Sequence, residues 1–596
     1  MINSKPTKPI VFMIRRVLNM GIAISLLLGC ADRISAQQVD IATAQNAARR
    51  ALQGDIAAPS STSSTLAWDS TDLFETTRST EPTFYVFATE GERGFVIVAA
   101  DKRISPILGY SDTYAICNPE NLPQNMVSWL EYVDSEVRDA RISEAEIHPE
   151  WNDIPTRSNR ECRVLKTATW SQGEPYNRQC PMEGKERTLT GCTATATGII
   201  MHYHRWPESA WGIAPAYQTP TTNIAVEQRD INHTYEWDNM LMGYPEGAYN
   251  DTQANAVATL LADLGHVYQA NYGYLGTSAL PNIEWLIKNF QYSPGINYQS
   301  RNSLSKQTWD MIMRNEIDAN RPILFSGYDK QQIYGHAFVI DGYDDNNFFH
   351  VNWGWEGLFN GFYRLEDLRP NNYDFSYEQW ILVGLEPYRE KGDFPNWISV
   401  VGDIEVSKHL FVENETFMVI EATYINNTQE IFNGVVRLAH TDKVGNIKGW
   451  LTDEIAISEL RCGYSTTLRN IECTITEPIE DGDRMRTFYR ASGDEWIMVN
   501  PYEYHAGEWE IVFRSCPQSI AESTSILFNK DTEILTIAHD SSVTVEVSHN
   551  GTRLSDITYE ANCTIIDTKK HHGKSLDIRL ENSVEERTLT ITINRE

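Results

Sequence analysis

Residues 190–205 read TGCTATATGIIMHYHR, and residues 335–355 read GHAFVIDGYDDNNFFHVNWGW. In the first stretch a glycine stands directly before a cysteine, allowing a tight turn and close approach of another chain. The small residues that follow suit a helix over 192–205 packed tightly inside a domain. A thiol at such a helix start meets unpaired N–H groups and about half a positive charge, which favours the thiolate. An isolated Cys192 would more often be a buried structural residue, so its company decides.

The second stretch supplies that company. His336 heads the apolar run Ala337-Phe338-Val339-Ile340, Asp344 to Asn347 forms a turn, and Phe348 to Trp355 returns as a partner strand. His336 follows Cys192 by 144 residues, within the roughly 130–150 typical of chains whose thiol and base meet in space rather than in sequence. A third group is then needed to orient the imidazole. Side chains alternate along a strand. A hairpin pairing residues whose numbers sum to 690 puts Asn352 on the His336 face, whereas a sum of 691 puts Trp353 and Trp355 there. We expect Asn352 as the hydrogen-bond partner and Trp353 as a shield over that bond. Gln172, in Trp170-Ser171-Gln172-Gly173-Glu174-Pro175-Tyr176-Asn177, offers an amide for an oxyanion, with the Cys192 N–H as the other donor.

Outward from these two stretches, the chain of 596 residues is too long for one hydrophobic core. Lys5, Lys8, Arg15 and Arg16 precede a 13-residue apolar run, Val17 to Gly29, too short to span a bilayer but right for an export signal over 1–36. Leu27-Leu28-Gly29-Cys30 resembles a lipobox, in which a 1–29 signal is removed and Cys30 lipidated; Ile34-Ser35-Ala36 offers an ordinary cleavage site instead. The lipobox is favoured, and an exported or envelope-associated protein follows from either. The net charge of -31 excludes nucleic acid and anionic membrane as partners, since both need a basic face. Membrane attachment is therefore expected only through the lipid anchor.

Nine scattered cysteines show no metal-binding spacing, and Cys462 with Cys473 is one conceivable disulfide. His202 and His204 lie two apart on the expected helix and face different ways, and His571-His572 lacks matching ligands, so no metal site is expected.

Residues 84–110 read as strands, two apolar runs around a Glu90-Gly91-Glu92 turn, and Met126 to Arg141 is an amphipathic helix with Val127, Leu130, Val133 and Val137 at helical spacing. The polar stretch His148 to Arg163 reads as an exposed linker open to nicking. Helices are expected at 252–268 and 305–319, and strands from Pro322 to Leu385. Beyond Pro387, short alternating runs every eight to twelve residues suggest two β-sandwiches, 398–516 and 517–596.

WSQGEPYN, TGCTATATGIIMHYHRWP and YGHAFVIDGYDDNNFFHVNWGWEGLFNGFYRL resemble the streptopain family of papain-like cysteine peptidases. Weaker matches lie at Tyr235 to Met240 and Ala258 to Ser278, and FYVFATEGERGFVIVAADKRISPILGYSD looks like that family's inhibitory prodomain. The resemblance covers about 84 to 388. It implies an α+β architecture: an inhibitory prodomain over 37–155, then a two-lobed papain-like peptidase domain over 156–388, followed by the two all-β domains. The tail looks like the β extensions of Bacteroidetes-type members. Cys192 matches the family nucleophile, His336 its general base and acid, and Gln172 its oxyanion donor. Ser278, Gly335 and Trp355 are the substrate-binding candidates. The family implies a zymogen whose own prodomain is the intramolecular inhibitor, protein or peptide substrates with a hydrophobic residue two places before the scissile bond, and no cofactor. Gly198 departs from a frequent Gln, and Ala270 from a common Met. Two rival readings are an inactive adhesion protein on the same fold, whose β domains carry the function, and a transamidase.

Overall fold

The computed structural model describes residues 37–52, 64–74, 81–89, 94–113, 118–122, 124–142, 146–154, 162–301, 304–328, 335–365, 379–388, 393–407, 411, 416–480, 482–493, 495–506, 509–513 and seven strands between 525 and 593. The expected export segment, Cys30 included, lies outside these residues. Residues up to Glu390 form one compact unit and those from Lys391 another.

Helix α1, Ile41–Leu52, places Ala44, Ala47, Ala48, Ala51 and Leu52 on one buried side, the i, i+3, i+4, i+7 spacing of an amphipathic helix. The Asp40 carboxylate accepts the Thr43 N–H at its start. Strands β1 (Ser64–Asp69), β2 (Phe84–Thr89), β3 (Phe95–Ala99) and β4 (Ile107–Ser111) pair in order as an antiparallel meander. The stretch read as two runs thus holds three strands, and all of β3 and β4 is buried, which explains the unbroken apolar run of β3. Helix α2, Gln124–Ile142, buries Leu130, Val133 and Val137 as read, but Met126 rather than the half-buried Val127 completes the buried side.

The second half of this unit comprises β5 (Cys162–Val164), α3 (Cys192–His204), α4 (Asp251–Val267), β6 (Asn297–Ser300), α5 (Lys306–Asp318), β7 (Ile323–Tyr328), β8 (Gly335–Asp344), β9 (Phe349–Asn352), β10 (Gly361–Tyr363) and β11 (Trp380–Val383). The three helices lie within a residue or two of the spans read from sequence. Helix α3 is buried from Thr193 through His202, so it has no solvent face to give it amphipathic spacing. A Cβ at Gly198 would lie 2.5 Å from Leu261 Cδ2 and 3.3 Å from Trp170; the glycine lets α3 lie close to α4.

One sheet of eleven strands runs β1-β2-β3-β4-β10-β9-β8-β7-β11-β6, with β5 added beside β8. The N-terminal meander is therefore not a separate body joined by an exposed linker. It extends the later sheet, with Tyr110 paired to Phe362 and Gly109 to Tyr363. The stretch expected to be an open linker is also largely built in. Pro149–Trp151 forms a 3-10 turn, Glu150 holds the buried Arg364 guanidinium with both carboxylate oxygens, and Cys162–Val164 pairs with β8. Only 155–161 of that stretch falls outside the described residues.

The unit after Lys391 is all β. Strands between Ile398 and Val512 form sheets of five and six strands, and those between Ser525 and Ile593 form sheets of four and three. The conceivable Cys462–Cys473 bond is absent: Cys473 is buried opposite Phe417 while Cys462 is an exposed free thiol. Among the described residues no helix is long and apolar enough to cross a membrane.

The junction of β4 with β10 depends on Gly361, where an added Cβ would sit 2.5 Å from the Tyr110 carbonyl oxygen. Gly361→Ala, made in a Cys192→Ala chain, is expected to cost about 1–3 kcal/mol by forcing these backbones apart. Denaturant melts should show the loss, and limited proteolysis should cut the N-terminal meander sooner.

Candidate active site

Gly191 is the residue that creates the start of α3. Its φ is +86° and a Cβ there would lie 2.9 Å from both the Thr277 carbonyl oxygen and Cγ2, so no other residue fits without strain. It caps the helix without a side chain, leaving first-turn amides free to face the Cys192 sulfur. The threonines of α3 tie the helix to its surroundings. The Thr193 hydroxyl donates to Ala279 O at 2.8 Å, Thr195 bonds Thr190 at 2.8 Å, and Thr197 donates back to Thr193 O.

Strand β8 arrives at this point with its first residues. Gly335 and His336 pair with Tyr328 and Gly327 of β7, and the Ala337 N–H donates to Cys192 Sγ at 3.4 Å. The peptide unit between His336 and Ala337 therefore lies against the sulfur. For Gly335 and His336 the described structure is the backbone.

Burial works against the expected thiolate. Burial pushes the Cys192 thiol above its ordinary pKa, outweighing the Ala337, Thr193 and Cys192 amides and the Thr193 hydroxyl, which pull it down. A helix N-terminus offsets only part of the cost of burying a charge.

Gln172 sits where an oxyanion donor is needed. Its carbonyl accepts the Thr190 N–H at 3.2 Å, which ties its loop to the residues before Cys192. The residue is buried, and its carboxamide has no hydrogen-bond partner among the described residues.

The β8–β9 register corrects the choice of Asn352. Val339 pairs with Asn352 and Ile340 with Val351, a sum of 691, and a bulge after Ile340 shifts the pairs to Gly342–His350 and Tyr343–Phe349. Asn352 thus shares the face of Val339, an odd number of residues from His336. Its carboxamide donates to Thr167 Oγ1 at 3.0 Å and Ala168 O at 2.8 Å, and accepts the Gly354 N–H at 3.2 Å. Trp353 is the residue on the Phe338 side. Its ring lies 4.9 Å from Phe338 and 5.1 Å from Tyr363, and its indole N–H donates to Phe359 O. Gly354 rests 3.5 Å from Thr195 of α3 by its Cβ position, and the Glu356 N–H donates to Trp170 O. Residues 353–356 therefore wall the site between α3 and the Gln172 loop.

Ser278 is exposed on the loop 273–280, which rests on the α3 N-terminus through Thr277 and Ala279. Trp355 is half-buried in the wall, and Gly335 opens β8. His202 and His204 serve no common site: His202 packs on Trp170 and bonds Met240 O. Among the described residues no cluster of three or more His, Cys, Asp or Glu could hold a metal. Sequence reasoning missed Thr277, which forces the glycine, and the buried Asp341, whose place inside an apolar strand was the available signal.

Residues 170–363 match the peptidase C10 family, and residues 36–137 match the Spi protease inhibitor. Streptopain of Streptococcus pyogenes is 31% identical over 320 residues, covering 49% of this chain and 78% of that protein. The chain belongs to the peptidase C10 family. The thiol protease/hemagglutinin PrtT of Porphyromonas gingivalis is 29% identical over 385 residues. That match takes in 61% of this chain but 44% of PrtT, so the chain spans less than half of that relative's length. Among solved structures, a prointerpain A fragment of Prevotella intermedia aligns at 29% identity over 52% of this chain and 96% of that one, with a TM-score of 0.43. The inhibitor-like match begins well before Phe84, where the sequence resemblance started. Helix α1 explains the difference, since Ala44 to Leu52 pack in one core with Phe87, Val96 and Val98.

In the C10 peptidase domain Gly191→Ala should be severely damaging. We expect the α3 N-terminus to move off Thr277 and hydrolysis to fall by about a hundredfold, as for a misplacement near 1 Å. Alkylation of Cys192 by iodoacetamide, followed by mass spectrometry, would show whether the sulfur has changed its surroundings.

Proposed function

We propose that this chain is an exported cysteine endopeptidase made as a zymogen. The observation that carries the reading is the Ala337 N–H bonded to Cys192 Sγ, because it brings the strand headed by His336 to the sulfur on the opposite lobe. In the proposed reaction His336 takes the Cys192 proton, and the thiolate adds to a peptide carbonyl. Gln172 and the Cys192 N–H hold the resulting oxyanion. His336 then protonates the departing amine, leaving an acyl-enzyme, and afterwards draws a proton from the water that releases the new carboxylate.

Latency is part of the zymogen reading. The inhibitor-like domain supports it by gripping β10 in the peptidase sheet. Cleavage in 155–161 would cut the covalent link between the two halves, the step that must precede release of the inhibitor-like one. The exposed Leu275 and Leu280 on the loop beside α3 support a hydrophobic preference two residues before the scissile bond. Behind Leu280, residues including Val267, Tyr268, Ile283 and Tyr298 line a cavity of about 410 Å³. The export reading, and lipidation of Cys30, rest on the 1–36 segment alone; globomycin treatment of producing cells would distinguish the two leader types.

Purified wild-type chain should lose about its first 155–160 residues over time by intact mass and then degrade casein. Cys192→Ala should stay full length and inactive. Equal cutting of both would exclude self-processing, and amine incorporation without casein loss would mark a transamidase. Gln172→Ala should process slowly, with kcat reduced roughly 10²–10³-fold and KM changed far less.

A further inference from the structure

Three segments must be held together for this chemistry: the one leading to Gln172, the strand that brings His336, and the turn that carries Trp353. They meet at one hydroxyl outside the catalytic set. Thr167 lies five residues before Gln172, Asp341 five residues after His336, and Asn352 directly before Trp353. Thr167 donates its hydroxyl hydrogen to one oxygen of Asp341 and accepts from Asn352 Nδ2 at 3.0 Å. The other Asn352 N–H goes to Ala168 O, and its oxygen takes the Gly354 N–H. The other Asp341 oxygen bonds His350 Nδ1, while the Asp341 carbonyl accepts the Leu165 N–H at 2.7 Å. Thr167, Asp341 and Asn352 are all buried.

We propose that Thr167 is a positioning residue of this peptidase, its hydroxyl fixing the register of the segments that supply Gln172, His336 and Trp353. The inference rests on the peptidase reading above. A hydroxyl is required because it must donate and accept at once. Valine has the same shape but would leave an Asn352 N–H and an Asp341 oxygen buried without partners. None of these bonds reaches the loop 273–280, so loss of the pin shifts reacting groups more than substrate-binding ones. The segment 162–168 thereby belongs to the working site, and a mature enzyme has to retain it.

The test uses full-length wild-type, Thr167→Val, Thr167→Ser and Cys192→Ala chains, processed to completion with a trace of wild-type enzyme whose activity is subtracted. Active sites are counted with a thiol-directed inhibitor and hydrolysis of labelled casein is followed. Thr167→Val should lose about ten- to a hundredfold in kcat with KM within about threefold. Thr167→Ser should recover to within about threefold of wild type. Wild-type kcat in Thr167→Val, or a Ser variant as poor as the Val one, overturns the inference. If wild type releases no more product than Cys192→Ala, the peptidase reading itself is what fails. Should Thr167→Val not fold by circular dichroism, Asn352→Asp, equal in size but lacking both donors, decides instead: an unchanged kcat there rejects the pin.

Discussion

The contact on which the site depends is the one between a strand backbone and a helix side chain, where the Ala337 amide reaches the Cys192 sulfur. Helix α3 belongs to a lobe of packed helices and β8 to a sheet, and these layers have no reason of their own to meet at a thiol. They do so because Gly191 adopts a positive φ against Thr277, which aims the first turn of α3 at the end of β8. The rest of the helix is held by burial, from Ala194 to Met201 among Trp170, Leu261 and Leu264. Apolar packing supplies the force, and one glycine supplies the direction.

The polar interior does a different task. Burying Thr167, Asp341 and Asn352 in one chain of hydrogen bonds that ends on the half-buried His350 brings little net stability, since each bond replaces one to water. It does exclude other registers, because any slip would strand a charged or amide group out of water. The bulge after Ile340 shows the same economy. It changes the pairing from Val351 to His350 and so lets Asp341 meet the ring of His350 while Gly342 makes room for β5. A Cβ at Gly342 would lie 2.5 Å from Arg163 O.

Much of this was legible beforehand. The helices over 251–267 and 306–318 lie where they were read and that over 192–204 follows its run of small residues, and the Gly-Cys and Gly-His pairs stand out from their surroundings. Asn352 was not legible, because the deciding quantity is a pairing sum that one inserted residue reverses, and alternation carries no mark of a bulge. The continuity of the two halves through β4 and β10 was equally hidden. Period-two patterning tells which residues are buried in a strand but not which strand lies next to it. The polar stretch around Glu150 misled for a related reason: its charges are there to bind Arg364, not water.

That continuity would have a consequence for the molecule once cut. Breaking the chain between Ile154 and Cys162 severs no hydrogen bond between β4 and β10, nor the Glu150–Arg364 clasp, so the two fragments begin as a nicked complex. Departure of the smaller fragment would strip β10 of its neighbour and lay bare Phe362, now stacked on Tyr110 at 5.1 Å. An uncovered strand of this kind is a template for adhesion to other chains. The larger fragment, once freed, would thus carry a sticky margin, at the side of the sheet remote from β6, that the intact chain keeps sealed.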